Sequence, residues 1–192
     1  MTALPQDWLV PRADGWTLSD VQELPEGARV EVLDGALIVN PSPLPIHQRV
    51  MRRLAAVLEG QLPDGWQLET DVDVMLAENP LDHVAPDIVV FSADIPLTTR
   101  PIPGGAVLLV VEVVSKGSRK EDRGSKPIAY AEAGVPHYWR VEGPASGEDV
   151  VTVHTYELPS GGTRYETTGS REETSTAVLD RRRITVDLTA LS

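Results

Sequence analysis

The sequence predicts an α/β (α+β) fold: a mixed central β-sheet flanked by helices, with added β-hairpins. Residues 106–115 are an unbroken run of branched apolar side chains, bounded by Pro103-Gly104-Gly105 and by Ser115-Lys116-Gly117, which predicts a strand buried on both faces. Ile46, Val50, Leu54, Val57 and Leu58 recur at helical spacing, which predicts an amphipathic helix over 46–61. The elements run hairpin, helix, three strands, helix, strand, hairpin, the order of a mixed sheet with a helix on each side.

A chain of 192 residues suits one domain with a real core. The expected layout is a single domain over 1–192: a polar lead-in to about residue 28, a core over 29–168 and a last strand near 184–188. Trp8, Leu9, Val10 and Trp16 are expected to pin the lead-in to the body. No basic segment followed by an apolar one opens the chain, so no signal peptide is expected. No apolar stretch approaches the roughly 20 residues that span a bilayer. The absence of cysteine excludes disulfides and thiolate metal sites and fits a reducing cytoplasm. It leaves oxygen and imidazole as the available metal ligands. A net charge of −12 repels nucleic acid over the surface as a whole, so any such contact needs a local basic groove.

Taken in order, 17–24 predicts a short helix capped by Thr17 or Ser19 and ended by Pro25. Residues 29–39 predict a hairpin turning on Asp34-Gly35. The helix over 46–61 presents His47, Gln48, Arg49, Arg52 and Arg53 on its other face. Residues 66–76 predict one strand, 79–84 a loop, 87–91 a strand and 92–105 a Pro-rich loop. After the central strand, Ser118-Arg-Lys-Glu121 matches a capping box. Pro127 interrupts that helix, which therefore either kinks or restarts with Ser125 as cap, and it stops at Gly134. A strand over 135–141, a turn at 146–149, a hairpin from 150–158 to 163–168 and a polar stretch over 169–176 complete the reading.

Glu112 lies inside the central apolar run, and burying its charge costs several kcal/mol unless it is compensated. Asp87, at the mouth of another apolar run, is the natural companion. Two such carboxylates offer the hard oxygens that Mg²⁺ prefers. Lys126 would supply positive charge beside them, and Glu31, on an early element, would bind metal directly or through water. The other reading of Glu112 is a structural ion pair with Lys126 or Arg123. His47 is read as a backbone cap in preference to a ligand. Arg49, Arg52, Arg53, Lys116, Arg119, Lys120 and Arg123 are the candidates for a local positive groove.

The patterns Val32-Leu-Asp-Gly-Ala-Leu-Ile-Val39, His47, Pro86-Asp87, Val111-Glu-Val-Val-Ser115, Asp122-Arg123, Lys126 and Tyr130-Ala-Glu-Ala-Gly-Val-Pro-His-Tyr-Trp139 resemble the Uma family of endonucleases, over roughly 20–160. The resemblance implies the PD-(D/E)XK restriction-endonuclease-like core and Mg²⁺- or Mn²⁺-dependent hydrolysis of DNA. It implies Asp87 and Glu112 as metal ligands, Glu31 at an early acidic position and Lys126 as the catalytic lysine. It also implies a homodimer. In the parent motif the lysine stands two residues after the second acid. Here that position is Val114, and the resemblance moves the lysine to the following helix. A non-catalytic nucleic-acid-binding or regulatory module on the same fold is the alternative.

Overall fold

The computed structural model describes residues 12–25 and 27–191. Trp8, Leu9 and Val10, and the start of the chain, lie outside them. Trp16 is buried against Val32 and Leu81 and ties the lead-in to the body as expected. A short helix α1 (Leu18–Gln22) follows, with Thr17 and Asp20 forming a reciprocal capping box.

Two large sheets organise the chain. β1 (Val30–Leu33) and β2 (Ala36–Val39) form the hairpin, with Asp34 and Gly35 both at positive φ as a tight two-residue turn demands. Residues 66–76 do not make one strand. Asp71 takes a left-handed conformation (φ 53°) and divides them into β3 (Trp66–Thr70) and β4 (Val74–Glu78), which enter different sheets. The stretch expected as a loop over 79–84 contains β5 (Leu81–Val84), which pairs with both β4 and β1. β6 (Ile88–Ser92), β7 (Ile102–Pro103) and the central β8 (Val107–Val113) follow. Helices α2 (Pro45–Glu59), α3 (Arg119–Arg123) and α4 (Ser125–Glu132) precede β9 (His137–Glu142), β10 (Thr152–Glu157) and β11 (Glu166–Arg171). The polar stretch over 169–176 carries strand rather than coil. It ends β11 and begins β12 (Thr174–Leu179), which pairs with β13 (Arg182–Asp187).

The main sheet has the order β11-β10-β9-β8-β6-β3 and is mixed, because β8 and β9 run parallel while the other neighbours are antiparallel. The second sheet has the order β2-β1-β5-β4-β7. Strand pleating divides the interior into two cores. Ile88, Val90, Leu109, Val111 and Val113 pack with Val50, Leu54 and Leu58 of α2 and Ile184 and Val186 of β13. Val89, Phe91 and Val110 face the other way, against Ala129 and Tyr130 of α4 and Val74 and Val84 of the second sheet. By the same alternation Glu112 falls on the α4 side, whereas Asp87, just before β6, meets His47 of α2.

The segment after β8 restarts with Ser125 as the first helical residue; Gly124, not Ser125, holds the cap position, and no side chain caps this end. Ser118 makes no capping hydrogen bond; its Oγ bonds Ser115 instead, so the capping box does not form. Gly124 separates α3 from α4, and its backbone is so close to Lys120 that a Cβ would lie 2.7 Å from the Lys120 carbonyl oxygen. Pro127 then sits in the first turn of α4, where no helical hydrogen bond is lost.

Candidate active site

Pairing fixes the two acids first. β6 and β8 are antiparallel with Ile88 opposite Val111. Asp87 immediately precedes β6, which brings it beside Glu112 near the end of β8. The Val113 amide donates to Asp87 Oδ2 at 2.7 Å and holds this carboxylate against the Glu112–Val113 peptide. His47 Nε2 lies 3.3 Å from the same oxygen.

Lys126 comes from α4 into the space between three carboxylates. Its Nζ is 3.0 Å from Glu112 Oε1, 3.0 Å from Glu31 Oε1 and 3.6 Å from Asp122 Oδ1. Tyr130, one helical turn on, donates its hydroxyl to Glu112 Oε1 at 2.5 Å. Glu31 is otherwise held by the Ala85 amide at Oε1 and by Asn40 Nδ2 at Oε2. Thus all four predicted site residues, Glu31, Asp87, Glu112 and Lys126, converge.

Of the two roles expected of Glu31, binding metal directly or through water, its contacts leave less room for the direct one. Both its oxygens are occupied, one by Lys126 and Ala85 and the other by Asn40. It is positioned to hold the lysine. Asp87, Glu112, Asp122, Lys126, His47 and Asp71 line a cleft of about 280 Å³. Asp87 Oδ1 and Glu112 Oε2 have no hydrogen-bond partner among the described residues, and neither does Asp122 Oδ1, which faces Lys126 Nζ at 3.6 Å.

The electrostatics follow from burial. With every group ionised, Glu31, Glu112, Asp122 and Lys126 sum to −2 in a nearly dry space. Burial pushes the Glu112 carboxyl well above its ordinary range, against the opposing pull of Lys126. Burial likewise pushes Asp122 up to about 6, moderated by Lys126 and by a hydrogen bond from Ser118. For Lys126 burial acts to lower the pKa, but Glu112, Glu31 and Asp122 together outweigh it and the ammonium is strongly favoured. His47 is raised: burial alone would lower it, and the Asp87 carboxylate prevails. Burial raises Asp71 too, with Asp87 adding to the shift.

The donor set can be tested against a divalent ion. Among the described residues no group of three His, Asp or Glu side chains closes around a common point. The protein therefore offers two carboxylate oxygens on one side of an open cleft. Mg²⁺ accepts that arrangement, since it keeps several waters and takes one or two carboxylates together with substrate phosphate oxygens. The residues fit such an ion, with Asp87 and Glu112 as its holders.

Several side chains were hidden or misplaced in the sequence reading. His47 does not cap the helix; Leu44 occupies that position, and the imidazole is buried against Asp87. Tyr130 is both core and hydrogen-bond donor to Glu112, and its four-residue spacing from Lys126 carried the signal. Of the expected basic groove only Lys116 lines the cleft, joined by Arg29. Arg123 turns away to a two-pronged pair with Glu142, and Arg53 reaches the Ala190 carbonyl.

A restriction-endonuclease-like α+β core with two acids and a lysine at a cleft by the ends of its inner strands defines the nuclease class to which this chain is similar. Residues 18–187 match the Uma2 family model, described as "Putative restriction endonuclease", and the chain belongs to that family. A solved structure from Anabaena variabilis, titled as that of a "putative nuclease belonging to DUF820", has the same fold. It shares 16% identity at a TM-score of 0.62, covering 82% of this chain and 85% of that one. No curated protein matches the sequence. No helix among the described residues is long and apolar enough to cross a membrane.

Proposed function

We propose that the protein is an Mg²⁺- or Mn²⁺-dependent endonuclease that hydrolyses DNA phosphodiester bonds. The observation that carries this reading is the placement of Asp87 and Glu112 side by side at the cleft, each with one unengaged oxygen, beside the Lys126 ammonium. A bound divalent ion would lower the pKa of a water and polarise a phosphodiester oxygen. The chain's own residues do the rest. The Val113 amide and His47 fix Asp87; Lys126 and Tyr130 engage one Glu112 oxygen and leave the other toward the cleft. Glu31, itself held by Asn40, anchors Lys126, whose charge faces the place where negative charge would build on phosphorus. Arg29 and Lys116 at the cleft wall suit phosphate contacts. The proposal includes DNA as partner, the homodimer that the resemblance implies, and a cytoplasmic setting.

The test is cleavage of supercoiled plasmid with Mg²⁺ or Mn²⁺, alongside calorimetric metal titration. Asp87→Asn and Glu112→Gln are expected to abolish cutting and weaken metal binding while the circular dichroism spectrum stays native. Undiminished cutting by both variants would refute the assignment.

One observation favours the second reading, a non-catalytic binding or regulatory module. Lys126 has three carboxylates within 3.6 Å, so its charge is already compensated without a substrate. A protein that takes up neither Mg²⁺ nor Mn²⁺ would be this module rather than the nuclease.

A further inference from the structure

The candidate active site leaves a larger concavity unused. It lies on the other side of the α3–α4 turn: Asp122 and Lys126 line the active-site cleft, whereas Arg123 and Gly124 line this one. Its volume is about 600 Å³, within the range of small-molecule sites. Its walls combine aromatic faces with arginine. Tyr138, Tyr156 and Tyr165 line it, with the Tyr138 ring 5.6 Å from Tyr156 and 5.8 Å from Tyr165. The Arg140 guanidinium stands 5.6 Å over Tyr156. Arg164, on the connection between β10 and β11, is exposed and has no ion-pair partner among the described residues.

Charge identifies the occupant. Arg123 and Arg140 share one carboxylate, Glu142; Glu132 also lines the cleft and Arg164 has no ion-pair partner among the described residues, so three guanidinium groups stand against two carboxylates. A local excess of guanidinium beside half-buried tyrosine faces, in a chain of net charge −12, calls for a planar group that carries an anion. A second copy of the chain fits less well. Ile128 is the one strongly exposed large apolar residue on the rim, and stable interfaces bury about 800 Å² on each partner.

We propose that this cleft binds one nucleotide of a single DNA strand, its base against Tyr156 and Tyr165 and its phosphate against Arg164. The inference deepens the nuclease reading and rests on it: a strand led through the active-site cleft would pass the α3–α4 turn and place a neighbouring unpaired nucleotide here. Aromatic stacking tolerates any base, so the contact would favour single-stranded or frayed DNA without reading sequence.

The experiment measures binding of labelled oligothymidylate by fluorescence anisotropy in EDTA over a salt series, with the wild type and Arg164→Ala. An abasic strand of equal length serves as the second probe. Arg164 is exposed, so its replacement leaves the fold intact. The expected result is severalfold weaker binding by Arg164→Ala, with a log–log salt slope shallower by about 0.7, the value for one single-strand phosphate contact. The abasic strand should bind the wild type about fivefold or more weakly than oligothymidylate, the low end of one lost stack. Equal affinities for the two strands, an unchanged salt slope, absence of strand binding, or a dimer that buries Ile128 and excludes the strand would each overturn the proposal. Plasmid cleavage in Mg²⁺ keeps the two readings apart. Cutting by both proteins without Arg164-dependent binding removes the cleft and leaves the nuclease. Arg164-dependent binding without cutting does the reverse.

Discussion

Replacing Lys126 by Met isolates the ion at the centre of the site. Methionine preserves the length of the buried stem and removes the charge. The lysine side chain is 5% exposed, with two carboxylate oxygens at 3.0 Å and a third at 3.6 Å. Without it, three nearly buried acids remain with no counter-charge. Removing one partner of a buried ion pair typically costs about 3–5 kcal/mol. For a chain of this size each kcal/mol moves the Tm by about 2–4 °C, so the expected loss near pH 8 is roughly 6–20 °C. The pH dependence gives the sharper test. Asp122 and Glu112 already have raised pKa values in the folded protein, and loss of the ammonium raises them further. A carboxyl raised in the folded state stabilises the protein below its unfolded value and loses that contribution as pH rises through its folded value. The variant's deficit should therefore shrink as pH falls from 8 toward 5, because the acids take up protons and no longer need a counter-ion. Thermal melts at both pH values check this. A deficit under 1 kcal/mol at pH 8, or one that does not change with pH, would refute the account of the cluster.

Three further outcomes follow from particular contacts. Asp122→Asn removes an acid held at about 6 against an ordinary 3.8. It should gain stability over the wild type as pH rises from about 4 to 6 and hold that gain above, to a limit of about 3 kcal/mol, measured by urea unfolding. Gly124→Ala forces a Cβ against the Lys120 carbonyl, so it should cost about 1–3 kcal/mol and, by shifting α4 and Lys126, reduce plasmid cleavage while core variants of equal stability do not. Leu54→Ala, in the core between α2 and the main sheet, should cost about 2–5 kcal/mol by chemical denaturation and leave metal affinity unchanged.

The elements legible in the sequence were those whose signals are local. The apolar run of β8, the helical spacing of α2 and the Asp34-Gly35 turn each announce one structure. The misread elements depend on single backbone conformations made by residues that do not advertise them. Asp71 breaks an alternating stretch that reads as one strand, and Asp180-Arg181 turns a hairpin at positive φ without a glycine. The site was legible where charge interrupts apolarity, at Glu112 and at Asp87 after Pro86. The partners Asn40 and His47 were not, because only tertiary packing brings Asn40 to Glu31 of β1 and His47 of α2 to Asp87. Val114 shows why the lysine comes from a helix. It is fully buried and its amide bonds Val141, whereas Lys126 approaches the same carboxylate from above the sheet.

The protein has four tyrosines, and all of them belong to one ring column: Tyr130 against Tyr138, and Tyr138 against Tyr156 and Tyr165. One end touches Glu112 and the other opens on the arginine-lined cleft. Phenolic absorbance and emission are thus reporters of a single locale. The four tryptophans absorb in the same band, so the column is better isolated by the tyrosine ring resonances, which would shift together on adding a metal or an oligonucleotide.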